Sequence, residues 1–177
     1  YFGFEYDQYW SNDHPLQKLL IDYLSDLFEY KLTNIAIDGC GAPIPYIDSR
    51  NVIHAANKLL IEDSDIAKAW KRITSSMKEN PYLVAGTGRF DSVLMERSSQ
   101  KLTAKVGAEG VIFLHSENDT RIMKSLDGSR RGADLLAIYF AREKGLIPVD
   151  LFEIEIETIY NKQEQEVGSI EIQEYIF

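Results

Sequence analysis

Residues 77–110 read MKENPYLVAGTGRFDSVLMERSSQKLTAKVGAEG, a segment with several glycine-bearing turns that ends in Lys-x-Gly-x-x-Gly. Side chains on a strand alternate between its two faces, so Lys105, Gly107 and Glu109 are predicted to point the same way. The other face carries only small apolar residues, which are Ala104, Val106 and Ala108. An ammonium group beside a residue without a side chain is typical of a strand against which a small ligand lies. The segment is therefore predicted to form one wall of a ligand site.

Helix and strand signals alternate on both sides of this segment. The spacing of apolar residues predicts helices at 15–28, 49–61, 63–78, 90–97 and 130–144, with Pro81 ending the helical region before the glycine turns. The residues predicted to face inward on the last helix are Ala133, Leu136, Ala137 and Phe140. Short apolar or alternating runs predict a buried strand at 34–38 and further strands at 101–106, 110–116, 121–126, 152–160 and 167–175.

Sequential strands joined by short turns pair antiparallel. The predicted fold is therefore α/β of the α+β type, an antiparallel sheet with helices packed on it. At 177 residues the chain is predicted to form a single domain, 1–177, in which 150–177 is a terminal β-hairpin extension.

Composition excludes several function classes. The formal net charge is −9 and no Lys/Arg cluster is present, so neither nucleic acid nor an anionic membrane is an expected partner. No apolar run approaches the length that spans a bilayer, and the one cysteine cannot form an internal disulfide. These features favour a cytoplasmic protein.

Four motifs occur in a fixed order along the chain: HPLQ at 14–17, IDGCGAP at 37–43, NPYLVAGTGRFDSVLM at 80–95 and KVGAEGV at 105–111. Together they resemble the class 3 L-asparaginases, also called asparaginase II, which are amidohydrolases with a serine-β-lactamase-like fold. The resemblance covers roughly residues 10–135, and four ordered motifs are more specific than any one alone. It implies a β-lactamase-like fragment in the fold class already predicted.

The resemblance also implies that part of a site lies outside these residues. The family uses a Ser-x-x-Lys nucleophile, a second serine and a Cys-x-x-Lys-His segment, all upstream of the motifs seen here. The string Ser75 to Lys78 fits Ser-x-x-Lys, but it falls in the wrong order and at the end of a predicted helix. The chain, which opens on Tyr1, is therefore expected to be the carboxy-terminal half of a longer enzyme and to lack asparaginase activity alone.

Lys105 is the catalytic residue that the resemblance implies within this chain. In β-lactamase-like enzymes the lysine of a Lys-Thr/Ser-Gly strand places a positive charge beside the nucleophile, and the glycine lets the substrate approach. Lys105 and Gly107 match that pattern, with Val106 replacing the hydroxyl residue. Composition alone favours a surface lysine near a turn as the interpretation of Lys105, and Glu109 either pairs with it or is solvated.

Asp38 and Cys40 alternate with two glycines in a predicted turn. Asp38 is predicted to bind the α-ammonium group of asparagine. The resemblance makes Cys40 a metal ligand, for zinc completed by residues outside this chain, although no cofactor is certain. Structural zinc needs four ligands and catalytic zinc three plus water, so within this chain a lone cysteine reads as a small apolar residue.

Arg89 follows Gly86 and Gly88 at a predicted helix start. It either binds the substrate carboxylate or holds the loop through backbone carbonyls, and we include it among the substrate-binding candidates. The glycines lack the spacing and the lysine of a P-loop, which argues against nucleotide binding.

The predicted function is hydrolysis of the side-chain amide of asparagine to aspartate and ammonia, through an upstream serine. Two alternatives stay open, a β-lactam-recognising protein with the same Lys-x-Gly strand and a non-catalytic domain that binds an amino acid or a protein. The expected partner is therefore a small amino acid, asparagine, and the sequence leaves a homodimer open.

Overall fold

The structure, a computed structural model, describes residues 2–149 and 156–173. Contacts divide the chain into two compact units, one ending at Lys58 and the other beginning at Leu59. Helix α2, Ser49–Ile61, contains the boundary between them. The fold is of the predicted α+β class, since its helices accompany sheets whose strands all pair antiparallel among the described residues.

The first unit contains helix α1, Pro15–Leu27, and a short ribbon of two strands, β1 (Ile35–Ile37) and β2 (Pro43–Pro45). Pro15 occupies the first turn of α1, where its missing N–H costs nothing. His14 precedes it as the N-cap, and its Nδ1 accepts a hydrogen bond from the Leu16 N–H at 3.1 Å. The predicted helix and the predicted strand are both present.

The prediction that 34–38 is a buried strand is wrong in one respect. Among the described strands β1 pairs with β2 alone, and Ile37 is 61% exposed. A strand in a two-stranded ribbon has an unpaired edge and two faces to cover, and this ribbon leaves Ile37 and Ile44 exposed. An apolar run of this length predicts that a strand forms, but it does not predict whether the strand is buried.

The second unit begins with three helices, α3 (Asp65–Glu79), α4 (Pro81–Ala85) and α5 (Phe90–Arg97). The Ser64 hydroxyl caps α3 by accepting from the Ala67 N–H at 3.2 Å. Asn80 ends α3, and Pro81 then opens α4, so the prediction that Pro81 ends the helical region is wrong. Proline terminates the preceding helix and equally suits the first position of the next.

Strands β3 (Thr103–Val106), β4 (Val111–His115) and β5 (Thr120–Lys124) form a three-stranded sheet in that order, followed by helix α6, Arg130–Glu143. Their antiparallel pairing is as predicted. The register sets Thr103 opposite His115 and Lys105 opposite Phe113. The face that carries these residues packs against α3, where the Trp70 ring lies edge-on to Phe113 and His115.

The other face of the sheet forms the core with α5 and α6. The buried residues of this cluster are Leu94, Met95, Leu102, Ala104, Ile112, Leu114, Met123, Ala133, Ala137, Ile138, Ala141 and Ile147. Three alanines four residues apart face inward along α6, which lets the helix backbone approach the sheet closely. Leu136 is 43% exposed, contrary to the prediction, because this alanine stripe and its flanks already occupy the inward arc.

The terminal hairpin is confirmed over its described part. Strands β6 (Ile156–Tyr160) and β7 (Glu166–Glu171) pair antiparallel, with an irregularity between Ile159 and Tyr160. They form a sheet of their own, separate from β3 to β5. The remainder of 150–177, which is 150–155 and 174–177, lies outside the described residues. Among the described helices none is both long enough and apolar enough to cross a membrane.

Gly110 closes the turn between β3 and β4 and allows no side chain. Its φ is +65°, a conformation that side chains rarely adopt, and a Cβ there would lie 1.9 Å from the Ser125 Oγ and 2.7 Å from the Ser129 carbonyl oxygen. The Gly110 carbonyl accepts from the Ser125 N–H at 3.0 Å. The last glycine of the motif is therefore a packing requirement, because the loop at 125–129 lies directly against it.

We expect Gly110→Ala to lower the free energy of unfolding by roughly 2–4 kcal/mol, since it adds backbone strain and a clash. Urea denaturation of the two proteins measures the change. Gly132→Ala is the matched control, because Gly132 lies in α6 with open space at its Cβ, and it should be neutral or stabilising by up to about 1 kcal/mol. Similar values for the two variants would contradict the packing role of Gly110.

His115 is buried at the end of β4, with 4% exposure. Its Nε2 accepts a hydrogen bond from the Trp70 indole N–H at 3.1 Å, and its Nδ1 lies 2.8 Å from the Thr120 hydroxyl. An indole N–H is only a donor, so a proton on Nε2 would break this bond. Burial lowers the pKa of His115 to about 4, and the charge of Lys78 adds to the effect. The folded protein therefore holds a neutral imidazole.

This histidine makes folding stability fall in acid. Its folded pKa lies below its ordinary value, so the unfolded chain takes up the proton first and stability drops as the pH falls from about 6.5 to about 4. Over that range we expect the protein to lose roughly 2–3 kcal/mol more unfolding free energy than His115→Gln. Urea titrations at several pH values measure the difference, and His54→Gln, at an exposed position of α2, is the control. Parallel curves for wild type and His115→Gln would refute the assignment.

Candidate functional site

Lys105 lies on the edge strand β3 with its side chain about half exposed, at 52%. The predicted alternation holds along the strand, since Ala104 is fully buried and Val106 packs against the core while Lys105 faces the other way. The strand ends at Val106, and Glu109 has a φ of +56° in the following turn. The alternation therefore does not extend to Glu109 as predicted, because a turn follows a different geometry.

The Lys105 ammonium group lies beside a buried carboxylate that the sequence analysis did not identify. Its Nζ is 3.3 Å from the Asp91 Oδ2, and the Asp91 side chain is only 2% exposed. The same oxygen accepts the Val106 backbone N–H at 3.2 Å. The Lys105 Nζ also donates to the Val106 carbonyl at 2.8 Å. Lys105 is thus held by one partner on helix α5 and one on its own strand, and it keeps an exposed side.

The position of Asp91 follows from the hydrogen bonding of β3. The Gly107 N–H donates to the Val111 carbonyl at 2.8 Å, toward β4. Backbone donors alternate in direction along a strand, so the Val106 N–H points to the outer edge, where none of the described strands pairs with it. Asp91, in the first turn of α5, satisfies that donor. The helix N-terminus favours a negative charge at the same place.

Gly107 lies next to Lys105 as predicted, but its missing side chain also serves the turn. A Cβ at Gly107 would lie 3.3 Å from the Val111 Cβ, which is tighter than ordinary packing. Its φ is not in the left-handed region. The closeness of Val111 gives a structural reason for glycine, and its contact with a substrate stays a prediction.

Arg89 is the N-cap of α5 and is exposed. It follows Gly86 and Gly88, whose φ values are +98° and +67°. Its side chain makes no hydrogen bond to the described residues, so the alternative in which it holds the loop through carbonyls has no support here. Arg89 lies two residues from Asp91, and its role in binding a carboxylate stays a prediction.

Asp38 and Cys40 contact each other in the turn between β1 and β2. The Cys40 thiol donates to the Asp38 Oδ2 at 3.1 Å, and the Gly39 N–H donates to Oδ1 at 2.6 Å. These donors hold the pKa of Asp38 below its ordinary value. Gly41 has a φ of +84° and closes the turn by donating to the Asp38 carbonyl at 2.8 Å. The result is an exposed, ionised carboxylate displayed on a tight turn.

The described residues around Cys40 do not complete a zinc site by themselves, and Cys40 as a ligand of a zinc ion completed by residues outside this chain stays a prediction. Within the described ranges, no three side chains of the His, Cys, Asp and Glu types come together as a metal site would require. The Cys40 hydrogen is engaged with Asp38, and the cysteine itself is exposed. Asp38 and Cys40 belong to the first unit, whereas Lys105, Gly107 and Arg89 belong to the second.

Asp91 escaped the sequence analysis because an acid in the first turn of a helix is ordinary and usually solvated. The residue next to Asp91 indicates that this end of the helix is buried. Ser92 is also buried, and its hydroxyl donates to the Pro81 carbonyl at 2.9 Å, so two consecutive polar residues face inward at the start of a short helix. An edge strand that follows such a helix has unpaired backbone donors to be satisfied.

Comparison with known proteins agrees with this arrangement of motifs. The family model of L-asparaginase II matches residues 2–172. No curated protein matches the chain significantly. The family match extends well beyond the range of roughly 10–135 over which motifs were recognisable, and it includes the described hairpin of β6 and β7. A match over nearly the whole sequence shows the family, and the chain belongs to the L-asparaginase II family.

Proposed function

We propose that this chain provides the electrostatic and substrate-anchoring part of an amidohydrolase that converts asparagine to aspartate and ammonia. The observation that carries the proposal is the half-exposed Lys105 ammonium, held at an edge strand by the buried Asp91 within a family-typical motif. Membership of the family supports an amidohydrolase that acts on asparagine. The assignment of roles to residues is our own.

The proposed reaction has two steps. A serine hydroxyl, supplied by the family's Ser-x-x-Lys segment, attacks the side-chain amide carbon, its proton goes to the leaving nitrogen, and ammonia departs as an ester forms. Water then attacks the ester, which releases aspartate and restores the serine. Lys105 stabilises the negative charge that develops on the amide oxygen or near the nucleophile. Because its ammonium group is already held in place, the side chain does not have to move when that charge forms.

Asp91 is proposed as a positioning residue that acts through Lys105. Lysine side chains are flexible, and a single ammonium on a four-carbon stem has many rotamers to lose. The contacts with the Asp91 carboxylate and the Val106 carbonyl restrict those rotamers before substrate arrives. Burial of Asp91 leaves the exposed side of the ammonium for substrate, since the carboxylate itself is closed to solvent.

Asp38 is proposed to bind the α-ammonium group of asparagine. Its carboxylate is exposed and its pKa is lowered by the Cys40 thiol and the Gly39 N–H, so it is ionised at neutral pH. A charged partner for the α-ammonium would distinguish the amino acid from a simple amide. We further propose a serine-β-lactamase-like fold, a cytoplasmic location and asparagine as the small-molecule partner, with a homodimer as an open possibility.

The Lys105 site gives a prediction for turnover. In a protein that carries the family's Ser-x-x-Lys segment together with these residues, Lys105→Met should lower kcat about a hundredfold or more, because it removes charge stabilisation in the transition state. Arg89→Met should lower kcat much less. Asp91→Asn keeps an acceptor for the Val106 N–H and should lower kcat about tenfold. Ammonia release measures all three, and Glu96→Gln, at an exposed position of α5, is the control for Asp91.

The double variant of Asp91 and Lys105 shows whether Asp91 acts by positioning Lys105 or has an independent effect on turnover. If Asp91 acts through Lys105, the double variant should be no worse than Lys105→Met alone. Additive losses would show that Asp91 has a separate role. Equal small losses for Lys105→Met and Arg89→Met would remove Lys105 from the catalytic site, and covalent labelling by a β-lactam with no amide hydrolysis would favour the β-lactam-recognising alternative.

Asp38 gives a prediction for specificity. Asp38→Asn should raise KM for asparagine about tenfold, the loss expected for one charged hydrogen bond. Succinamate has the same amide and carboxylate but no α-ammonium, so its KM should not change. Asp48→Asn, which alters an exposed carboxylate paired with Arg50, is the control. A parallel loss for both substrates would exclude the ammonium contact, and saturable asparagine binding without turnover would favour a non-catalytic amino-acid-binding domain.

A further inference from the structure

A second cleft lies in the second unit, between the end of α2, one face of α3 and the turn after β4. Its volume is about 410 Å³, within the range of small-molecule sites. None of its lining residues belongs to the Lys105 site. The polar side chains that line it are Lys71, Thr74, Ser75, Lys78, His115, Ser116 and Glu117.

One helical face supplies both positive charges of this cleft. Lys71, Ser75 and Lys78 follow helical spacing on α3, so their side chains project from the same side. The Cα atoms of the two lysines are about 10 Å apart along the axis, a gap that two flexible side chains can close on a small ligand. The string Ser75 to Lys78, which matched no family landmark, thus faces a cavity.

In the part of the chain that the structure describes, the two ammonium groups lack ion-pair partners. Neither Lys71 nor Lys78 forms an ion pair with any carboxylate in the described ranges. The Lys71 Nζ donates only to the Glu62 backbone carbonyl, at 3.1 Å, and Lys78 is half buried. In a chain with a net charge of −9, two lysines without acidic partners at one cleft are unexpected. An anion would supply the missing charge.

Glu117 is the one acidic residue in the described lining of the cleft, and the Glu79 carboxylate, which accepts the Ser75 hydroxyl, is not part of that lining. Two cations and one carboxylate are the complement of an acidic amino acid, which carries two carboxylates and one ammonium. The hydroxyls of Ser75 and Ser116 already bond to Glu79 and Asp119, so the charged groups have to provide the recognition. We infer that this cleft binds an acidic α-amino acid, with its carboxylates at Lys71 and Lys78 and its ammonium at Glu117. The inference does not depend on the proposed function.

The chain contains its own reporter for binding. Trp70 donates its indole N–H to His115, a lining residue of the cleft, and Trp10 is the only other tryptophan in the sequence. The indole N–H resonances can be assigned with Trp10→Phe. Titration of the folded chain with L-aspartate near neutral pH, at constant ionic strength, should shift the Trp70 resonance saturably.

Variants test each contact. Lys78→Gln should weaken L-aspartate binding about tenfold, as expected for one charged hydrogen bond, and Lys71→Gln gives a second test should Lys78→Gln fail to fold. Lys68→Gln is the matched control, since Lys68 lies on the same helix, outside the cleft and near Asp63. Glu117→Gln should weaken L-aspartate and leave succinate, which has no ammonium, unaffected or tighter. The shift should persist in Lys105→Met, which separates this cleft from the Lys105 site.

Three results would overturn the inference. The first is no saturable shift with L-aspartate, and the second is an equal response of the Lys78→Gln and Lys68→Gln variants. The third is equally tight binding of L-aspartate, succinate and inorganic phosphate with no effect of Glu117→Gln, because that pattern describes a site for any anion and not for an amino acid.

Discussion

The Asp91 carboxylate joins helix α5 to the open edge of β3, and the arrangement around Lys105 depends on it. One oxygen accepts the Val106 backbone N–H and contacts the Lys105 ammonium. A buried carboxylate without such partners would be strongly destabilising, and an unpaired edge donor would be costly as well. Each group therefore compensates the other, and Lys105 is held near the strand while half of its side chain stays accessible.

The motif KVGAEGV divides into parts with different physical duties. Gly110 is required by packing, because the loop at 125–129 occupies the space of any side chain there. Gly107 is partly explained by its closeness to Val111. Lys105 is the residue whose exposure and charge have no packing explanation beyond the contact with Asp91. The glycines of this short motif therefore serve packing, and Lys105 is its one group that is available for chemistry.

The two faces of the three-stranded sheet also have different duties. One face packs on the alanine stripe of α6 and forms an apolar core. The other packs on α3 through Trp70, Phe113 and His115, where an indole donor keeps the imidazole neutral. That second packing also gives α3 an outward face with two unpaired lysines, so the same helix contributes both to the fold and to the cleft that we assign to an acidic amino acid.

The sequence by itself determined the described helices apart from α4, the described antiparallel strands apart from β2, and the family, because helical and strand periodicity and short ordered motifs are local properties of the chain. It placed Lys105 on a strand, Gly107 in the turn after that strand, and Asp38 and Cys40 in another turn, and it predicted α5 at its observed bounds. Only the tertiary structure decided that Asp91 is buried against Lys105, that β1 is exposed and that Ser75 and Lys78 face a cleft. Burial and pairing between residues distant in sequence depend on how elements pack, and a periodic pattern records which side of an element is apolar without recording what covers it.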